Sequence, residues 1–111
     1  MTIAQEHRIP RESIKKIVKS GRRFRSGPIT AVFLENGRNA SRIAVVISSK
    51  IVKKSTERNR IRRRAKEIFR KADKLFSKNC DIIVMFYSGS PFKFRDIEEI
   101  LFEIFTKAKI I

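Results

Sequence analysis

The sequence predicts an α+β fold, a two-layer α-β sandwich in which a small mixed sheet is packed by helices. Three observations predict it. Apolar residues recur at i, i+3 and i+4 in three separate segments, the period of an amphipathic helix. Short apolar runs of strand length lie between them, the longest being DIIVMFY at residues 81–87. The chain has 111 residues and is 41% hydrophobic, enough for one modest core, so residues 1–111 are read as a single domain.

The elements follow in order. Residues 10–20 put Ile14, Ile17 and Val18 on one side of a helix, and Gly21 stands where a C-terminal stop belongs. Basic GRRFRSGP follows, with room for a short strand near Phe24; residues 29–34 then read as a strand. Asn36-Gly37 opens a polar connection, and residues 42–48 (RIAVVIS) read as a buried strand. A second helix begins at Ser55 or Thr56, either of which could cap it, with Glu57 favourable in its first turn. Its stripe is Ile61, Ala65, Ile68, Phe69, Ala72, Leu75 and Phe76, and Asn79 is a reasonable stop. Residues 81–87 suit a central strand covered on both faces, with Phe86 and Tyr87 read as core. Ser90-Pro91 opens a last helix whose stripe is Ile97, Ile100, Leu101, Ile104, Phe105 and Ala108. Strand, basic helix, strand makes a β-α-β crossover whose helix carries the charge.

That charge is extreme and local. Net charge is +16 and the isoelectric point about 11.0. Residues 50–71 hold eleven Lys or Arg against two Glu, and residues 8–25 hold eight against Glu12, whereas residues 72–111 cancel. A helix stripe and a cationic excess in one segment describe an ordered basic surface, whose natural partner is a polyanion. On helical spacing, Arg58, Arg62, Lys66 and Arg70 form a row beside the stripe, while Arg60, Arg63, Arg64 and Lys71 face outward. Lys50, Lys53 and Lys54 precede the helix in a loop with Ser48 and Ser49, where ammonium and backbone N–H groups can hold phosphate. Asn59, a neutral amide between arginines, has no role fixed by spacing.

Other chemistries find little support. The single cysteine, Cys80, allows no internal disulfide, and reads as a small buried side chain. The one histidine, His7, and the scattered carboxylates offer neither an acid–base pair nor a metal set, so no catalytic and no metal residue is assigned. Asp73 and Asp81 are read as turn caps. No apolar run reaches membrane-spanning length, and the N-terminus lacks a hydrophobic leader, so a cytoplasmic protein without membrane contact is expected.

The run Ser49-Lys50, Lys54, Arg58-Asn59-Arg60-Ile61-Arg62-Arg63 and Lys66-Glu67 resembles the signature of the bacterial ribonuclease P protein family. Arg8-Ile9, the helix ending at Gly21, and Asp81-Ile82-Ile83-Val84 agree in order, so the likeness covers about residues 8–108. The resemblance implies a left-handed β-α-β crossover, an exception to the usual hand. It implies an accessory subunit of an endoribonuclease whose RNA subunit and substrate hold the catalytic Mg²⁺. The partners would be that RNA and the 5′ leader of precursor tRNA, with no obligatory protein partner. RNA-binding residues would be Ser49, Lys50, Lys53, Lys54, Arg58, Asn59, Arg60, Arg62, Arg63 and Lys66. The leader cleft would be lined by Ile14, Val18, Val32 or Phe33, Arg62 and Lys66.

The chain departs from that family where aromatics often stand at the positions of Ile14, Val18 and Val32. It also has Ile51 for a lysine, Lys53 for a glycine and Tyr87 for an arginine. A small basic ribosomal protein binding ribosomal RNA is the alternative, because size, basicity and fold would be shared. A DNA-binding module is disfavoured by the lack of a helix-turn-helix pair.

Overall fold

The computed structural model describes residues 8–86 and 94–111. Seven elements run in the order α1 (Arg11–Ser20), β1 (Arg22–Ser26), β2 (Ile29–Glu35), β3 (Arg42–Ile47), α2 (Ser55–Asp73), β4 (Cys80–Phe86) and α3 (Phe94–Lys107). The expected order is kept, and the short strand near Phe24 is present. His7, Tyr87, Ser90 and Pro91, which enter the sequence reading, lie outside the described residues. Among the described residues no helix is long and apolar enough to cross a membrane.

The four strands form one mixed sheet in the order β1-β2-β4-β3. Strands β1 and β2 make a hairpin in which Ser26 pairs with Ile29, leaving Gly27 and Pro28 as a two-residue turn. Gly27 has φ +55°, the positive value that the first turn residue of a primed hairpin requires. Strand β4 is central, antiparallel to β2 and parallel to β3. Helix α2 therefore links two adjacent parallel strands.

Alternation along the strands divides the sheet into two faces. Ala31, Phe33, Ile43, Ile82, Val84 and Phe86 share the larger core with Ile61, Ala65, Ile68, Phe69 and Ala72 of α2 and with the apolar side of α3. Edge-to-face ring contacts run through it, from Phe24 to Phe33 (5.8 Å), to Phe105 (6.1 Å), to Phe76 (5.3 Å) and to Phe69 (6.0 Å). They tie both edges of this layer together. Val32 and Ile83 face the other way and pack with Ile9 and Ile17, bordered by Ile14, Val18, Leu34, Ala44 and Met85. Among the described residues, the one helix on this second face is the short α1.

The chain enters α1 from one sheet edge and leaves at the other. Arg8 bridges to Ile43 beside β3, while Arg22 begins β1 opposite Phe33. Helix α1 thus crosses the sheet at about the level of Ala44, Ile83 and Val32. Gly21 makes that crossing tight, for a reason other than the expected one. Its φ is −79°, an ordinary extended value, so no left-handed turn requires it. A Cβ there would instead stand 2.5 Å from Val32 Cγ1, 2.8 Å from Ile17 O and 2.9 Å from Phe33 O.

Four local expectations are corrected. Helix α2 ends at Asp73, and Leu75, assigned to its stripe, is 58% exposed beyond the helix end. Neither Ser55 nor Thr56 caps α2: Lys54 occupies the cap position, with no side-chain cap hydrogen bond. Asp81 is no turn cap. Arg42 donates from Nε to its Oδ1 (2.7 Å) and from Nη2 to its Oδ2 (2.6 Å), and Asn36 Nδ2 adds a third bond at 2.9 Å. Asn79 belongs to the same corner rather than to the helix end, donating to Arg38 O at 2.9 Å.

Burial by itself would raise the Asp81 carboxyl, but hydrogen bonds from Arg42 and Asn36 and the nearby guanidinium charges hold it below the ordinary carboxylate range. Its contribution to stability is therefore complete above the unfolded value near ~3.9 and is lost as pH falls through the lower folded value. Replacing Asp81 by Asn leaves the buried Arg42 uncompensated and should cost about 3 kcal/mol in urea unfolding at pH 7. The gap to wild type should narrow when the melts are repeated below pH 3. Gly21→Ala should destabilise by about 1–3 kcal/mol, because two of the three atoms met are backbone and cannot step aside.

Candidate nucleic-acid interface

The lysine loop is built on a short turn. The amides of Ile51 and Val52 both donate to Ser48 O at 3.0 Å, and Lys50 N donates to Ser48 Oγ at 3.0 Å. Val52 is buried and Ile51 packs partly against the larger core. Lys50, Lys53 and Lys54 are left exposed together with Ser49. Arg58 fastens this loop to α2, its Nη1 donating to Val52 O and Lys53 O at 2.8 Å each. Those bonds hold the loop carbonyls inward, so the lysines project from a fixed backbone. Asn59 gains a role that spacing did not supply, because its Oδ1 accepts from Arg62 Nη1 at 3.3 Å.

The cations of α2 separate into three groups. Arg60, Arg63 and Arg70 are exposed on the side away from the core, with the neutral Asn59 beside them. Arg62 and Lys66 lie half-buried on one flank. Arg64 and Lys71, expected to face outward, belong to the other flank. They pair with Glu98 of α3 at 3.7 and 3.8 Å, and Arg64 also reaches Glu67 at 3.6 Å. Contact between α2 and α3 thus withdraws two cations from the basic surface.

Beside α1, the second face of the sheet keeps a strip that, among the described residues, is open at Arg25, Met85 and Val46 and closed at Thr30, which is buried. Strand register places Arg25, Thr30, Met85 and Val46 in one row across the four strands. The row spans about 14 Å at ordinary strand spacing. Val46 is 41% exposed and Met85 partly so, while half-buried Ile14 and Val18 of α1 stand alongside. Val32 shares this face but is fully covered. Phe33 does not belong to the cleft. It points into the opposite core between Phe24 and Phe105, because neighbouring strand residues face opposite ways. Sequence reasoning missed Val46, Met85 and Arg25, whose place depends on pairing between distant strands.

Arg8, Arg62 and Lys66 come together near the β3 edge. Lys66 feels both arginines, and its ammonium is pushed below the ordinary lysine value, first by burial and then by those two like charges. Among the described residues no carboxylate pairs with this cluster, which is suited to a phosphate. Among the described residues no group of three or more His, Cys, Asp or Glu side chains could hold a metal ion. A titration of the Lys66 side chain by NMR should give a midpoint below the free-lysine value of about 10.4. Arg8→Ala should raise it only part of the way, because burial remains.

The sequence and the fold have counterparts in known proteins. A family model described as Ribonuclease P matches residues 4–109. A ribonuclease P protein component from Ureaplasma urealyticum is 36% identical over 103 residues, 88% of this chain and 86% of that protein. One from Thermotoga petrophila is 33% identical over 75 residues, 68% of this chain, and the match spans only 63% of that relative's length. The solved ribonuclease P protein of Thermotoga maritima superposes with a TM-score of 0.80 at 26% identity, covering 90% of this chain and 96% of that one. With its whole described fold inside the matched span, the chain belongs to the ribonuclease P protein family.

Proposed function

We propose that this chain is the protein subunit of a ribonuclease P ribonucleoprotein, binding the catalytic RNA and the 5′ leader of precursor tRNA. The observation that carries the reading is the strip beside α1, an apolar floor ending in Arg8, Arg62 and Lys66, which pair with no carboxylate among the described residues. A single strand offers both complements, phosphates for the cations and base faces for the floor. Because Ile14, Val18, Val46 and Met85 are not aromatic, bases pack there by aliphatic contact. Phosphate pairing then supplies the larger share of leader affinity.

The RNA subunit is assigned to the lysine loop and the outward side of α2. Lys50, Lys53 and Lys54 stand on a backbone that Arg58 holds, and Arg60 and Arg63 continue the surface along the helix. Arginine's planar fork suits bidentate phosphate contact. Mg²⁺ is assigned to the RNA subunit and substrate, where it would activate the attacking water and stabilise the leaving oxygen. The residues of this chain bind, orient and screen. By lowering repulsion between two polyanions they should reduce the Mg²⁺ needed for cleavage.

Reconstitution with a ribonuclease P RNA and precursor tRNA at low Mg²⁺ checks this directly. Cleavage should be stimulated by the protein, and an unchanged rate would remove the proposal. Removing a phosphate contact with Arg62→Ala should weaken precursor binding roughly tenfold while leaving mature tRNA binding unchanged. Val18→Phe, which offers the strip an aromatic ring, should strengthen precursor binding only.

A further inference from the structure

Helix α1 has a second side that the leader strip does not use. Ile14, Ile17 and Val18 turn toward the sheet, whereas Arg11, Lys15, Lys16 and Lys19 are all exposed. Arg11, Lys15 and Lys19 follow one another at i, i+4 and i+8, so they stack as like charges on successive turns and oppose helix formation. Glu12 is the only acid on α1, and among the described residues it makes no ion pair. The helix has just ten residues and no side-chain cap, so the row strains an element with little stability of its own. Lys19 in the last turn suits the helix dipole, but Arg11 near the start opposes it. Fold stability does not account for the row.

Position supplies the second part. Helices α1 and α2 lie on opposite faces of the sheet, so their solvent sides look away from each other. The molecule is 27 Å across even in its smallest dimension. One straight RNA helix resting on α2 cannot also reach the outer side of α1. We propose that the solvent side of α1 is a second RNA-backbone site, and that one protein molecule holds two RNA helical segments on opposite sides of its sheet. The inference rests on the RNA-binding reading above. It adds a duplex contact separate from the single-strand strip, with Lys15, Lys16 and Lys19 meeting phosphates without reading sequence.

The test uses the full-length protein and a 16-base-pair RNA duplex, prepared in donor- and acceptor-labelled forms. With duplex in twofold excess, the wild type should give energy transfer at a stoichiometry of two duplexes per protein. Lys15→Ala combined with Lys19→Ala should abolish the transfer and leave one duplex bound. That remaining duplex, held on α2, should keep the salt dependence of the wild-type α2 site, because the α1 contacts are separate from it. Lys74→Ala combined with Lys78→Ala removes the same charge from exposed positions outside either site and should behave as wild type. Lys15→Arg with Lys19→Arg should restore transfer, and unchanged helical circular dichroism excludes loss of α1. If the α1 double variant matches the Lys74 and Lys78 control in transfer and in the number of duplexes bound, the proposal is overturned. Arg60→Ala with Arg63→Ala then tells whether only the α1 site fails: if that variant also matches the control, the RNA-binding reading falls with it.

Discussion

Where the chain leaves α1 it passes so close to β2 that no side chain fits at Gly21, and this passage organises the second face of the sheet. With the Arg8–Ile43 bridge at the other end, it holds a short helix across the strands at one level and leaves the neighbouring row open. The strip over Met85 and Val46, the nearness of Arg8 to Lys66, and the outward direction of the α1 lysines all depend on that crossing. A helix of ten residues would not hold this course by its own propensity. Burial of Ile9 and Ile17 against Val32 and Ile83 fixes it.

Electrostatics then act on a rigid frame. With so large an excess of positive charge, the few acids determine which cations remain available. Glu98 engages Arg64 and Lys71, Asp81 engages Arg42, and Glu103 accepts from Ser26 at 2.7 Å and pairs with Lys107 at 3.3 Å. All three hold the structural layers together. Among the described residues, the loop lysines, the Arg62–Lys66 flank and the outer side of α1 make no ion pair with a carboxylate, so a phosphate would meet them without displacing one. The positive surface is thus shaped as much by where the acids sit as by where the cations sit.

Much of the fold was legible because it rests on local periodicity. The stripes of α2 and α3 and the runs of β2, β3 and β4 report burial through spacing alone. The Arg-Asn-Arg segment was equally plain, and its resemblance to the ribonuclease P protein family agrees with the family match over residues 4–109. Helix ends were less so: Leu75 continues the apolar spacing but lies beyond the point where α2 stops. Val32 and Phe33 could not be told apart either, since adjacent strand residues always face opposite ways and only packing says which face α1 covers.

The sequence by itself determined that two basic segments accompany an α+β core, and that one of them is a helix with a cationic side. Composition and spacing along the chain are sufficient for that. Tertiary structure decided which charges are spent and which are free, and which side of each strand faces the strip. Arg64 meets Glu98 across two helices, Arg42 meets Asp81 across two strands, and Lys66 of one basic segment comes near Arg8 of the other. The physical reason is that electrostatic and packing partners are chosen by distance in space, which strand pairing and helix crossing set only when the chain has folded.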